Sequence, residues 1–192
     1  MDSIERSTCV RFKVRKSESD FLNIFSGKFC KSNLGRTGGP QDMSFNTARC
    51  FRKGHVMHEL LHALGFVHMH NRPDRDNYIS IMKQNVHPKF ANEFDKVNPG
   101  LFNYYGTPYD FNSIMHYGSR AASKNGGRTI ITKDLTFLNT IGQRSELSVG
   151  DIKRINVRYQ CAGAKRSTEE SSEFDDNLSA KPGDDDDESY NI

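Results

Sequence analysis

An α+β fold follows from three features of the sequence: apolar–polar alternation within the first 46 residues, a one-sided apolar helix over residues 56–64, and a capped helix start at Ser148. Val10, Phe12 and Val14 alternate with charged residues, the period of a half-buried strand, and residues 21–25 supply a second strand candidate. Gly38-Gly39-Pro40 interrupts the chain. In residues 41–46, Met43 and Phe45 then alternate with polar neighbours in the manner of an edge strand. Val56, Met57, Leu60, Leu61, Ala63 and Leu64 fall on one side of a helix and predict a face turned to the core. Residues 69–146 are rich in Gly, Asn, Pro and Asp and predict mostly irregular structure. Ser148-Val149-Gly150-Asp151 matches a capping box, and beyond it Ile152, Ile155 and Tyr159 are placed to share a buried helix face.

Composition predicts one folded domain over residues 1–164 and an acidic disordered tail over 165–192. The tail carries 10 acidic and 3 basic residues, net −7, so the chain's overall +3 leaves +10 on residues 1–164. Asp184-Asp185-Asp186-Asp187-Glu188 and a lack of apolar residues give the tail nothing to bury. Asn177-Leu178-Ser179 matches a glycosylation acceptor. Although the body is basic, its positive residues are scattered and no nucleic-acid motif accompanies them, so nucleic acid is not an expected partner. No apolar run is long enough for a membrane-spanning helix, so no membrane insertion is expected. The four cysteines, Cys9, Cys30, Cys50 and Cys161, form no CxxC pair, which favours disulfides and an oxidising compartment over a cysteine metal site. Four cysteines permit three connectivities.

The chemistry concentrates in His58-Glu59-Leu60-Leu61-His62-Ala63-Leu64-Gly65-Phe66-Val67-His68, an HExxHxxGxxH run. At about 100° per residue, His58 and His62 lie roughly 40° apart on the helix wheel and one turn apart along the axis, so both imidazoles can converge on one ion. Gly65, without a Cβ, can take the left-handed conformation that ends the helix and brings His68 back as third ligand. Three neutral imidazoles suit one Zn2+ per chain with an open position, and Glu59 is placed to take a proton from its water. His55, His70 and His87 do not fit the ligand spacing, although His55 and His70 lie close enough in sequence to tune the site.

Past His68 the chain continues with Arg72-Pro73-Asp74-Arg75-Asp76-Asn77-Tyr78-Ile79, and Ser113-Ile114-Met115-His116-Tyr117-Gly118 follows downstream. Together with Ile141-Gly142-Gln143-Arg144, Leu147-Ser148 and Asp151-Ile152, these segments resemble the astacin family of metzincin metallopeptidases from about Cys9 to Cys161. The resemblance implies a zincin-like catalytic domain: a twisted sheet and zinc helix in the N-terminal part, then an irregular part with a Met-turn and one C-terminal helix. It also implies a secreted zinc endopeptidase acting on protein or peptide substrates. His58, His62 and His68 would be the metal ligands, Glu59 the general base and acid, and Met115 the hydrophobic floor under the metal. Tyr117 would be an additional ligand at rest and a donor to the oxyanion when substrate displaces it. His116 is not an expected ligand. The implied disulfides are Cys9 with Cys161 and Cys30 with Cys50. Arg144 would line the pocket for the residue just after the scissile bond and favour Asp or Glu there, the plain alternative being a surface arginine. The edge strand would run along the active-site cleft and receive an extended substrate.

Three departures from the family accompany these matches. Astacin mature domains begin about 35 residues upstream of Met1, with a strand and a helix that pack on the sheet. Ser3-Ile4-Glu5-Arg6 resembles the tail of that helix, and no signal-peptide apolar region or prosegment is recognisable after Met1. Met69 stands where the family usually has a glutamate that receives the freed N-terminus after activation. The alternative function is therefore a truncated astacin-like domain that binds zinc and peptides without turnover.

Overall fold

A computed structural model describes residues 1–162. The acidic segment 165–192 and Asn177-Leu178-Ser179 lie outside the described residues. Helix α1 (Asp2–Ser7) buries Ile4 completely and spans the residues expected to end a helix. Disulfides join Cys9 to Cys161 and Cys30 to Cys50, the pairs implied by the resemblance. The first ties the start of the described chain to its end. The second fastens the residue before strand β2 (Lys31–Ser32) to the loop that enters helix α2 (Lys53–Ala63).

Two strand expectations need correction. Residues 10–14 form no strand: Val10 and Phe12 turn partly inward, but Val14 is 92% exposed and no described segment pairs with them. Alternation marks which side chains face inward, whereas a strand also needs a neighbour for its backbone groups. The second correction concerns strand β3 (Pro40–Phe45), which is central and not an edge. Strand β1 (Phe21–Ser26) pairs with β3 in parallel from Phe21↔Pro40 to Ser26↔Phe45, and β2 pairs with the other side of β3, antiparallel, through Lys31↔Ser44 and Ser32↔Met43. Gln41, Met43, Ser44 and Phe45 are buried accordingly.

Helix α2 lies beside this sheet and turns Met57, Leu60 and Leu61 into the core, with Val56, Ala63 and Leu64 partly covered. Residues 69–146 consist largely of turns and short 3-10 segments, as the composition predicts, apart from one antiparallel pair, β4 (Ile79–Ile81) with β5 (Ile130–Thr132). Helix α3 (Val149–Arg158) opens with the expected reciprocal cap between Ser148 and Asp151. Its inner face is more polar than the periodicity suggests. Asp151, Arg154 and Ile155 are buried and Ile152 is half-buried, while Tyr159 caps the helix and is 41% exposed, its hydroxyl donating to the Leu64 carbonyl at 3.2 Å.

Candidate metal centre

Helix α2 carries His58 and His62 one turn apart, and the chain reverses at Gly65, whose φ of +87° is readily available only to glycine. A Cβ at Gly65 would also press on the Arg158 guanidinium of α3, which leaves little room beside the turn. After the reversal His68 faces the two helical histidines. The three Nε2 atoms stand 3.1, 3.1 and 3.0 Å from one another. Tetrahedral zinc with Zn–N bonds of about 2.0–2.1 Å needs nitrogens about 3.3 Å apart, so the observed triangle is within a few tenths of an ångström of what one ion requires. The donor set fits.

On the two helical histidines, hydrogen bonds place the proton away from the centre. His58 Nδ1 lies 2.8 Å from the Ile114 carbonyl and His62 Nδ1 lies 2.9 Å from the Phe66 carbonyl. A carbonyl only accepts, so each Nδ1 carries the hydrogen and each Nε2 presents its lone pair to the centre. Burial holds all three imidazoles neutral: His62 is pushed down to about 4, and His58 and His68 lie well below the ordinary histidine value. The positive charge of Arg144 adds to the effect at each of them. Glu59 follows His58 on the helix and is itself buried.

The segment 113–117 forms the other wall. Met115 is fully buried, and its carbonyl accepts from the Met69 N–H at 2.9 Å, which fastens the loop carrying His68 to this turn. The Tyr117 ring lies 4.5 Å from that of His68 and 3.9 Å from that of His70. His116 points elsewhere. Its Nδ1 donates to the Tyr117 carbonyl at 2.7 Å and its Nε2 accepts from the Tyr109 hydroxyl at 2.9 Å, a fully used and structural histidine. Arg144, half-buried, donates to the His116 carbonyl at 3.0 Å, and a Cβ on Gly54 at the start of α2 would collide with the Arg144 carbonyl. The arginine is therefore held between helix α2 and the turn.

One set of residues in this wall is legible in the sequence only in part. Asp151 reads as a helix cap, but its carboxylate also accepts from Ser113 Oγ at 2.6 Å and from the Ile114 N–H at 2.9 Å. The carbonyl of that same Ile114 orients His58. Arg154 bonds Asp151 and donates to Ser113 Oγ at 2.9 Å, while its other amine lies 3.0 Å from Met69 Sδ. Polar residues on the inner face of a capped helix are the signal that points to this role.

Known proteins resemble this chain in both sequence and fold. The sequence model of the peptidase family described as Astacin matches residues 1–160. Zinc metalloproteinase nas-6 of Caenorhabditis elegans is 44% identical over 165 residues, covering 86% of this chain and 48% of that protein. High choriolytic enzyme 1 of Oryzias latipes is 45% identical over 161 residues, covering 84% of this chain and 58% of its own length, so the chain spans about half the length of these relatives. The solved structure of that hatching enzyme superposes with a TM-score of 0.78 at 43% identity, over 84% of this chain and 79% of that one. Myroilysin, at 21% identity and a TM-score of 0.56, shares the fold alone. With a family match running from α1 to the end of α3 and a superposition that extends well past the ligand motif, the chain belongs to the astacin family of zinc metallopeptidases.

Proposed function

We propose that this chain is a zinc-dependent endopeptidase. The observation that carries the reading is the triangle of Nε2 atoms on His58, His62 and His68, 3.0–3.1 Å apart, with a buried glutamate on the same helix. Zinc held by three protein ligands supplies Lewis acidity and lowers the pKa of its water to about 7. Glu59 takes the proton from the attacking water and delivers it to the leaving nitrogen. Tyr117, beside His68, directs its phenol to the oxygen on which negative charge develops. Met115 packs as the apolar floor of the site.

Substrate enters as an extended chain along β2. This strand is one of the two outer strands of its sheet, and Gly35, just beyond it, donates its N–H to the His62 carbonyl at 2.8 Å, so this edge lies next to helix α2. Arg144 offers a guanidinium to an acidic side chain after the scissile bond. Protein and peptide substrates follow from this arrangement. Two disulfides fit an extracellular protein, and among the described residues no helix is long and apolar enough to cross a membrane.

The test compares wild type with Glu59→Gln on a peptide library, with zinc content measured in both. The expected outcome is one zinc per chain in each protein, chelator-sensitive cleavage preferring Asp or Glu after the cut in wild type, and kcat lower by about 100- to 10,000-fold in the variant. Stoichiometric zinc without cleavage in either protein would establish the non-catalytic alternative instead, and a flat profile after the cut would remove Arg144 from the substrate pocket.

A further inference from the structure

His70 fits no ligand spacing, yet it is completely buried, and its ring lies against Tyr117 with centroids 3.9 Å apart and planes 29° from parallel. On the same side the His68 ring is 5.3 Å away, and Phe94 lies 5.4 Å from the His70 ring. The imidazole is pinned by polar groups as well. Nε2 donates to the Glu93 carbonyl at 2.9 Å, and that carbonyl is itself held by Asn71 Nδ2 at 2.7 Å. The His70 carbonyl accepts from Arg75 Nη1 at 2.9 Å. Ring, anchor and backbone are all fixed.

The hydrogen bond to Glu93 places the proton on Nε2 and leaves Nδ1 as a buried acceptor with no hydrogen-bond partner among the described residues. Leaving such a group dry carries a desolvation penalty that leucine or phenylalanine would not incur. Packing alone therefore does not account for histidine here. An anchored flat ring does, because only a side chain with both an aromatic face and an N–H can rest on Tyr117 and be locked in plane by Glu93.

We infer that His70 is a positioning residue for Tyr117, holding the phenol ring at one tilt beside His68 so that its hydroxyl moves along a single path between the metal site and the developing oxyanion. The inference rests on the reading of Tyr117 as the oxyanion donor. Fixing that path acts on the transition state and not on substrate binding, so it affects kcat and leaves KM alone.

Three variants of the zinc-loaded enzyme test it: His70→Leu, which loses ring and anchor, His70→Phe, which keeps the ring, and Tyr117→Phe. His70→Leu is expected to lower kcat by on the order of tenfold or more at nearly unchanged KM, with a smaller loss in His70→Phe. With Cu(II) in place of zinc, the phenolate-to-copper absorption should shift or weaken in His70→Leu and persist in His70→Phe. A folded His70→Leu protein with wild-type kcat and an unmoved band overturns the inference. Should that variant fail to fold, His70→Phe decides: a modest fall in kcat at constant KM supports the anchored ring, and wild-type kcat refutes it. Wild-type kcat in Tyr117→Phe removes the reading of Tyr117 itself, and the positioning role falls with it.

Discussion

Residues 23–26 of β1 are exposed although each is paired in a regular ladder with β3, whereas residues 113–117 belong to no helix or strand and are all buried. In the strand, backbone hydrogen bonds to β3 do most of the holding, and the side chains add little. In the turn the backbone has no ladder, so buried side chains satisfy it: Asp151 accepts from the Ile114 N–H, and Ser113 Oγ accepts from the Met115 N–H at 3.0 Å. Irregular chain beside a candidate metal site can thus be the most tightly specified part of the molecule, provided that another element supplies its hydrogen-bond partners. That partner here is α3.

The most direct way to break this relation is Asp151→Asn. It removes the charge that pairs with buried Arg154 and disturbs the bonds to Ser113 and Ile114. An uncompensated buried guanidinium costs about 3–5 kcal/mol, and the loss should appear in urea unfolding of the intact, oxidised protein. Because the Ile114 carbonyl orients His58, zinc affinity should fall as well, by about 10- to 100-fold in competition with a chelator. Unchanged zinc affinity in a destabilised protein would separate α3 from the metal centre.

The sheet offers a sharper, internal comparison. Ile24 and Met43 are partners in one register pair, but Ile24 is 42% exposed and Met43 is fully buried. Truncating Met43 to alanine should cost about 2–5 kcal/mol, through lost burial and the cavity left behind. Ile24→Ala should cost under about 1 kcal/mol. Equal losses in chemical unfolding would show that the outer face of β1 is covered in solution.

How far the sequence carried these features depends on how local each one is. The convergence of His58, His62 and His68 was legible because helix pitch and Gly65 fix it within eleven residues. The Ser148–Asp151 cap is equally local. The position of β3 was not legible, since alternation reports which side chains are covered and nothing about what pairs on either flank. For the same reason Val10, Phe12 and Val14 read as a strand and are not one. Asp151 was visible as a cap, while its second task, holding Ile114 across 37 positions of sequence, depends on tertiary placement that no periodicity encodes. His70 shows the same limit, because its partner Tyr117 is brought to it only when the turn docks on the His68 loop.

The smallest effect distinguishes the buried turn from the exposed strand by acid rather than by truncation. His116 is fully buried and is pushed down to about 4, chiefly by burial and further by the charge of Arg144, against the opposing pull of its bond to the Tyr117 carbonyl. In the unfolded chain the same imidazole titrates near the ordinary value of about 6.5. Between those two pH values the unfolded state holds a proton that the folded state lacks, so stability is fully present above about 6.5 and declines as the pH falls. Below about 4 both states are protonated and the decline from this group ends. The slope for one histidine is at most about 1.4 kcal/mol per pH unit. Thermal unfolding followed from pH 7 to 4.5 should therefore show a shallower fall in Tm for His116→Gln than for wild type, after allowing for any constant offset from the lost bond to Tyr109. The other buried histidines titrate in both proteins, so the difference between the curves isolates His116. Parallel curves would mean that the turn admits a proton without opening, and that its burial does not control its charge.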